Sequence, residues 1–260
     1  MLVAACTFFL GKSFAANNEK PFVIPELQEW RGAQGMFTPS ATSRIVWLGK
    51  DSAVARVANQ FAEDYETMFG RKLTVVQGRA SAGDFVFSLS GDRQLGEEGY
   101  AVRIADRVSI SAPKAKGLYW ATRTILQMTE QNSDQALPKG AVRDYPDYAI
   151  RGFMMDCGRK FIPMDFLRDY VKMMAYYKMN TFQVHLNDNA FKQYYEHDWN
   201  KTYSAFRLEC ETYPGLTARD GYYTKKEFIA LQELADSLGV EIIPEIDVPA
   251  HSLALTQYRP

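Results

Sequence analysis

The sequence predicts two regions in series: an α+β domain, then the first part of a TIM (β/α)8 barrel, an α/β architecture. Three observations carry this. Short strand-like runs and two amphipathic helical stretches crowd the region before Pro146, with a tight turn joining two of the runs. After Pro146, apolar strands alternate with helices at the spacing of a parallel sheet. The composition, 47% hydrophobic and 23% charged over 260 residues, is that of a globular protein able to bury a core.

Taken in order, 44–48 reads as a strand. Ser52 is placed to cap a helix in which Val54, Val57, Ala58, Phe61, Ala62, Tyr65 and Phe69 share one face, and Gly70 ends it. Strand-like runs follow at 73–76, 84–89 and 100–104. Residues 105–107 then turn directly into a run at 108–111, a hairpin. A second helix is expected over 115–131. Strands folding back on themselves with two helices on one face predict an antiparallel sheet.

Beyond Pro146, 150–155 is an apolar strand and Pro163 opens a helix running to about Met179. A second strand occupies 181–186. The segment 187–223 is long and carries polar, aromatic and Gly/Pro turn residues. Thr224 and Glu227 form a capping box for a helix reaching Leu238, and 240–246 is a third strand. A (β/α)8 barrel needs about 250 residues, and only roughly 114 follow Pro146. The sequence therefore accommodates three βα units and ends in a loop, which fits the N-terminal part of a barrel better than the alternative, a small open sheet. Ile150, Met154, Phe182, Val184, Ile242 and Ile246 are expected to be exposed by the open strand edges of such a partial barrel.

Lys and Arg number 30 against 31 Asp and Glu, so no electrostatic footprint for nucleic acid is expected. No apolar run approaches the ~20 residues that span a bilayer. Residues 2–10 are apolar apart from Thr7, and Ser13 and Ala15 suit cleavage after Ala15. The domain reading is thus a signal peptide at 1–15, the α+β domain at 16–146 and barrel units at 147–260, with export to the periplasm or cell exterior. A lipoprotein box ending at Cys6 is the lesser alternative. Cys157 and Cys210 have no metal-type spacing and read as two thiols, although an oxidising compartment would permit a bridge.

In parallel α/β folds the chemistry sits beyond the carboxyl ends of the strands. Those ends carry Asp156 and Arg159, His185 and Asp188, and Asp247 and His251. His185 with Asp188, and Asp247 with His251, are spaced for local pairing as histidine–carboxylate couples. Asp156 also suits a loop-tying role and His185 a satisfied core position. Glu245 reads as pointing into the barrel, either as a polar support or in a direct role. The four His and Asp residues lack tight HxH or HExxH spacing, so no metal is expected; a metal-dependent barrel hydrolase is the least favoured reading.

Several runs together resemble glycoside hydrolase family 20, the β-N-acetylhexosaminidases. They are RGFMMDCGRKF at 151–161, YKMN at 177–180, HLND at 185–188, YT at 223–224 and IPEIDVPAH at 243–251. KGLYWATRTILQ at 116–127 resembles the last helix of that family's N-terminal α+β domain. The resemblance implies a retaining exo-glycosidase acting on glycans that end in N-acetylglucosamine or N-acetylgalactosamine. It needs no cofactor, because the substrate's 2-acetamido oxygen is the nucleophile. It implies that Arg159 binds hydroxyls of the terminal sugar. It further implies that Asp188, Asp247 and His251 support the catalytic carboxylates, with Asp247 fixing the histidine's tautomer. The family's Asp-Glu pair stands on the fourth barrel strand, and no Gly-Gly-Asp-Glu run occurs here, so the general acid is expected outside these residues. Asn189-Ala190 replaces the family's usual Asp-Gln, Ala250 its usual Gly, and the 189–223 segment is long; all three bear on the leaving-group side. The alternative in another class is a non-catalytic glycan-binding module that keeps Arg159. The oligomeric state is left open.

Overall fold

A computed structural model describes residues 17–259. The expected signal peptide at 1–15 lies outside the described residues. The chain divides into two compact units, the first ending at Tyr145 and the second beginning at Pro146.

The first unit comprises β1 (Glu29–Phe37), β2 (Arg44–Trp47), α1 (Ser52–Phe69), β3 (Thr74–Gln77) and β4 (Phe85–Leu89). After these come β5 (Tyr100–Ile104), β6 (Val108–Ala112), α2 (Ala115–Glu130) and β7 (Leu137–Asp144). One seven-stranded sheet runs in the order β1-β7-β5-β6-β4-β2-β3. The antiparallel expectation holds from β1 to β6, including the β5–β6 hairpin. It fails from β6 to β3, where neighbouring strands are parallel, so the sheet is mixed. The physical reason is α1: a helix returning the chain to the same sheet end makes β2 and β3 parallel, whereas a short turn could only reverse them. Strands β1 and β7 escape sequence reading. Gly32, Gly35, Pro138 and Gly140 interrupt their alternation, and β1 is mostly exposed.

Helix α1 is capped by Asp51, whose carboxylate accepts from the Ala53 N–H at 2.8 Å; Ser52 is its first helical residue and not its cap. Gly70 closes it in the left-handed conformation, its N–H donating to Glu66 O at 2.8 Å. The buried stripe Val54, Ala58, Phe61 and Tyr65 faces the sheet, and Phe61 meets Phe85 and Phe87 at 5.5 and 5.7 Å between ring centroids. Helix α2 is buried along nearly its whole length. It approaches the β5 end so closely that a Cβ on Gly117 would lie 2.3 Å from Gly99 O, which only glycine permits.

The second unit contains β8 (Gly152–Asp156), α3 (Met164–Tyr176), β9 (Thr181–His185), β10 (Asn187–Asn189) and β11 (Ser204–Phe206). Then come α4 (Lys225–Ser237), β12 (Glu241–Glu245) and α5 (Leu253–Tyr258). β8, β9 and β12 form a parallel sheet with β9 in the middle, in which Asp156, His185 and Glu245 stand level. The capping box of α4 forms as expected. Within the long segment after β9, β10 and β11 pair antiparallel. One expectation is corrected: the residues after β12 include the short helix α5 rather than only a loop.

Side chains alternate between the two faces of this sheet. Phe153, Phe182 and Val184 share the face on which Tyr170 of α3 packs, touching Phe153 and Phe182. Phe182 and Val184 are therefore fully buried, contrary to the expectation that they are exposed; β9 has neighbours on both edges and helical cover on that face. Ile150, Met154 and Ile246 are exposed as expected, and Ile242 is half-buried. The opposite face carries Met154, Gln183 and Ile243 in one row and Asp156, His185 and Glu245 in the next. Apolar residues thus give way to titratable ones at the carboxyl ends of the strands.

Candidate functional site

Asp188 is the centre of the site. It lies on β10, directly after the middle strand, and is fully buried. One carboxylate oxygen accepts from His185 Nε2 at 2.8 Å and the Arg159 guanidinium at 2.9 Å. The other accepts from the Asn189 N–H at 2.6 Å and His251 Nδ1 at 2.9 Å. A carboxylate offers about four lone-pair sites, so its accepting capacity is filled. Burial alone would raise its pKa, but these donors outweigh burial and hold the carboxyl below the usual aspartate value.

Arg159 follows β8 by three residues and reaches across to β10. Asp156 ties it down twice: its carboxylate accepts from the Arg159 backbone N–H at 2.9 Å and from the guanidinium at 2.7 Å. Asp156 thus plays the loop-tying part foreseen for it. The guanidinium keeps 37% of its side-chain surface exposed and stands 5.6 Å from the centre of the Phe191 ring. It is an oriented, accessible fork of donors whose charge two carboxylates already balance.

His185 is a buried histidine with two acidic neighbours. Nε2 donates to Asp188, and Nδ1 stands 3.2 Å from Glu245 Oε2, placed for charge attraction more than for a linear hydrogen bond. Burial works to lower its pKa; the Asp188 hydrogen bond and the charges of Glu245, Asp188 and Asp156 outweigh that and hold it above the ordinary value. Burial would raise the Glu245 carboxyl, but the 2.7 Å hydrogen bond from Gln183 Nε2 and the His185 charge hold it low. Glu245 thus stands as the acidic neighbour of His185, held by Gln183.

Asp247 and His251 do not pair as the sequence spacing suggested. The partner of His251 Nδ1 is Asp188, whose ionised carboxylate can only accept, so Nδ1 donates. Asp188 reaches His251 first because β10 lies beneath the 247–251 turn. Asn187, buried and unremarked in the sequence reading, fastens that turn. Its side chain accepts from the Asp247 N–H at 2.8 Å and donates to the carbonyls of Asp247 and His251 at 3.0 and 2.9 Å. These bonds hold His251 at φ +56°, a left-handed conformation a non-glycine residue adopts only at a cost of about 1–3 kcal/mol. Asp247 remains at the site: ligand-type atoms of His185, Asp247 and His251 lie within 4.8 Å of one another, as do those of Asp156, His185 and Asp188. In the second group Arg159 already supplies the compensating cation.

Arg207 is the other residue that sequence reading missed, because it sits in the long segment 187–223, which carries no periodic signal. It is completely buried. Nε donates to Cys157 O at 2.9 Å and one terminal nitrogen to Gly158 O at 3.1 Å. The other terminal nitrogen donates to Asp220 at 2.8 Å and Gly221 O at 2.8 Å, and the Tyr203 hydroxyl completes the set. The carbonyls it holds immediately precede Arg159. Gly158 lies so close to β10 that a Cβ there would stand 2.7 Å from the Asp188 nitrogen. Cys157 is buried, and burial raises its thiol pKa; it and Cys210 are both free thiols.

A cleft of about 1100 Å3 opens beside Arg159 and His251, between the loop after β10 and the segment 249–257. Phe191 and Trp199 are among its lining residues, 57% and 48% exposed. No helix among the described residues is long and apolar enough to cross a membrane.

Comparison with known proteins bears on both units. The family model for glycosyl hydrolase family 20, domain 2, matches residues 20–145, and that for the family's catalytic domain matches residues 148–260. A beta-hexosaminidase from Akkermansia muciniphila is 35% identical over 142 residues, covering 54% of this chain and 29% of that protein. A beta-N-acetylhexosaminidase from Cellulomonas fimi is 31% identical over 181 residues, covering 65% of this chain and 34% of that protein. A mutant Streptomyces plicatus beta-hexosaminidase, solved in complex with product (GlcNAc), superimposes with a TM-score of 0.78 at 25% identity over 95% of this chain. The chain spans 50% of that structure and no more than about a third of the two sequence relatives. An α+β unit matched by domain 2, followed by parallel βα units matched by the catalytic domain, places the chain in glycosyl hydrolase family 20.

Proposed function

We propose that the protein carrying this chain is an exo-β-N-acetylhexosaminidase that removes terminal N-acetylglucosamine or N-acetylgalactosamine with retention. The observation that supports it most is Arg159: an accessible guanidinium, braced by Asp156 and Asp188 at the carboxyl ends of parallel strands, in a chain of this family. A planar fork of fixed donors suits two neighbouring sugar hydroxyls.

In the proposed reaction the substrate's acetamido oxygen attacks the anomeric carbon as the glycosidic C–O bond breaks. The leaving oxygen takes a proton from a carboxylic acid, and water then opens the oxazolinium ring, returning a proton to that carboxylate. This substrate-assisted route departs from the usual pair of spaced carboxylates. Within the present residues, Arg159 would hold the sugar, and Asp188, His185, His251 and Asp247 would form the charged floor. No Asp-Glu dipeptide occurs in the 260 residues, so the proposal gives this chain binding and support and not the proton donor. The 260 residues alone are expected not to turn over.

The test is an assay of the intact protein with chromogenic N-acetylglucosaminide and the matching glucoside, which lacks the acetamide. Hydrolysis of the first only, with retained configuration, is expected. Binding of the sugar without hydrolysis would replace this reading with the glycan-binding module, and loss of activity on chelation would replace it with a metal-dependent hydrolase.

A further inference from the structure

We propose that Asn187 is a positioning residue for the reaction: its buried amide sets where Asp247 and His251 stand, and through them the rate of turnover rather than the grip on the sugar. This rests on the reading of the site as that of a glycosidase and extends it to a side chain that is itself fully buried.

The turn after β12 is the part of the site least able to hold its own shape. His251 sits at φ +56°, a conformation that costs any residue with a Cβ, and its side chain is 41% exposed. Neither backbone preference nor burial therefore keeps it there. Asn187 does, from a fixed platform. It pairs with Phe206 of β11, and the N–H of the preceding Leu186 donates to Glu245 O at 3.0 Å, at the end of β12. From there the amide oxygen accepts from the Asp247 N–H at 2.8 Å. The amide nitrogen donates to Asp247 O at 3.0 Å and His251 O at 2.9 Å. One planar group thus joins both ends of the 247–251 turn.

The residue type fits this task. The three bonds require one acceptor and two donors on a neutral group, which a short side-chain amide supplies. A serine or threonine hydroxyl has a single donor, and an aspartate would set a carboxylate against two carbonyl oxygens.

The consequence is chemical because of what the turn carries. Positive charge develops on the sugar in the proposed transition state, and charged groups of the floor act on it fully only when they are oriented beforehand. A displacement of about 1 Å can cost on the order of 10²-fold in rate. Arg159 is held chiefly by Asp156 and Asp188, at 2.7 and 2.9 Å, so the hold on the sugar is set from other elements.

The experiment measures kcat and KM of the intact protein with a chromogenic N-acetylglucosaminide, together with the nitrogen-15 imidazole spectrum of its histidines. Asn187→Ala is expected to lower kcat at least tenfold with KM within threefold, and to shift the His251 signals while those of His197 stay in place. Asn187→Asp keeps the size of the side chain and its acceptor but loses both donors, so it should fold and lose kcat to a similar extent. Wild-type kcat in either folded variant, or a lower melting temperature with kcat and the His251 signals unchanged, would overturn the positioning role and leave the glycosidase reading standing. A tenfold rise in KM at constant kcat would also overturn it, by moving the effect to sugar binding. Failure of the wild-type protein to hydrolyse the N-acetylglucosaminide would overturn the glycosidase reading and the proposal with it.

Discussion

At the scale of the residue, the site is organised by saturation. Asp188 fills its accepting capacity with Arg159, His185, His251 and the Asn189 N–H, so each of those donors has one place to be. Arg159→Ala in the intact protein is expected to reduce kcat/KM by the equivalent of about 2–4 kcal/mol, because charge-assisted bonds in a desolvated site are strong. Arg159→Lys should not recover it, since an ammonium lacks the fork; unchanged kinetics in either variant would make Arg159 structural. Arg207→Met should lower the melting temperature and, by freeing the 157–158 carbonyls, also raise KM; a stability loss with no change in KM would limit Arg207 to folding. The pH dependence has a definite sign. His185 is raised above its usual value near 6.5, so its stabilisation is complete below that pH and is lost as pH rises through the folded value. Asp188 and Glu245 are lowered from 3.8 and 4.5, so theirs is present above those values and is lost as pH falls through the folded ones. The second unit should therefore be most stable between about pH 4.5 and 6.5. His185→Gln should flatten the alkaline side of a melting-temperature profile, and an unaltered profile would show that the charges are screened.

At the scale of the element, the three barrel-like strands each serve two purposes. Their middle residues bury apolar surface against helices, and their last residues deliver Asp156, His185 and Glu245 level with one another. That levelness follows from parallel, in-register pairing, since a slip of one residue would turn the polar set to the helix-covered face. The mixed sheet of the first unit depends on α1, whose cap is testable. Asp51→Ala should destabilise that unit by about 0.5–2 kcal/mol in chemical denaturation, and Ser52→Ala far less. The reverse order would restore Ser52 as the cap. Helices and the central strands were legible in the sequence because periodicity and capping residues are local signals. β1, β7, β10 and β11 were not, because glycine and proline blur the alternation of the first two and the last two are only three residues long.

At the scale of the whole molecule, β8 and β12 each carry a single strand neighbour among the described residues, and Met154, Ile243 and Ile246 near them are exposed. A chain of these 260 residues alone is expected to bind a dye that reports apolar surface and to show no turnover of a chromogenic N-acetylglucosaminide. Steady turnover at an enzymatic rate would refute the assignment of the proton donor elsewhere. Export remains a proposal, resting on the apolar stretch before Ala15. Mass spectrometry of the mature protein should find Ala16 first, and a retained Met1 would end it.

The sequence by itself determined the order of most helices and strands, the two-part organisation, the family resemblance and the cast of the site: Arg159, His185, Asp188, Asp247 and His251. These are carried by local periodicity and by residue types at strand ends, which need no knowledge of distant contacts. Only the tertiary structure decided who pairs with whom. Spacing made Asp247 the natural partner of His251, but the turn between them folds over β10, and Asp188 takes the histidine instead. Asn187 and Arg207 acquire their roles from partners 60 and 50 residues away in sequence. A hydrogen bond depends on where two groups meet in space, and across such separations that is fixed by packing of the sheet and helices rather than by any pattern along the chain.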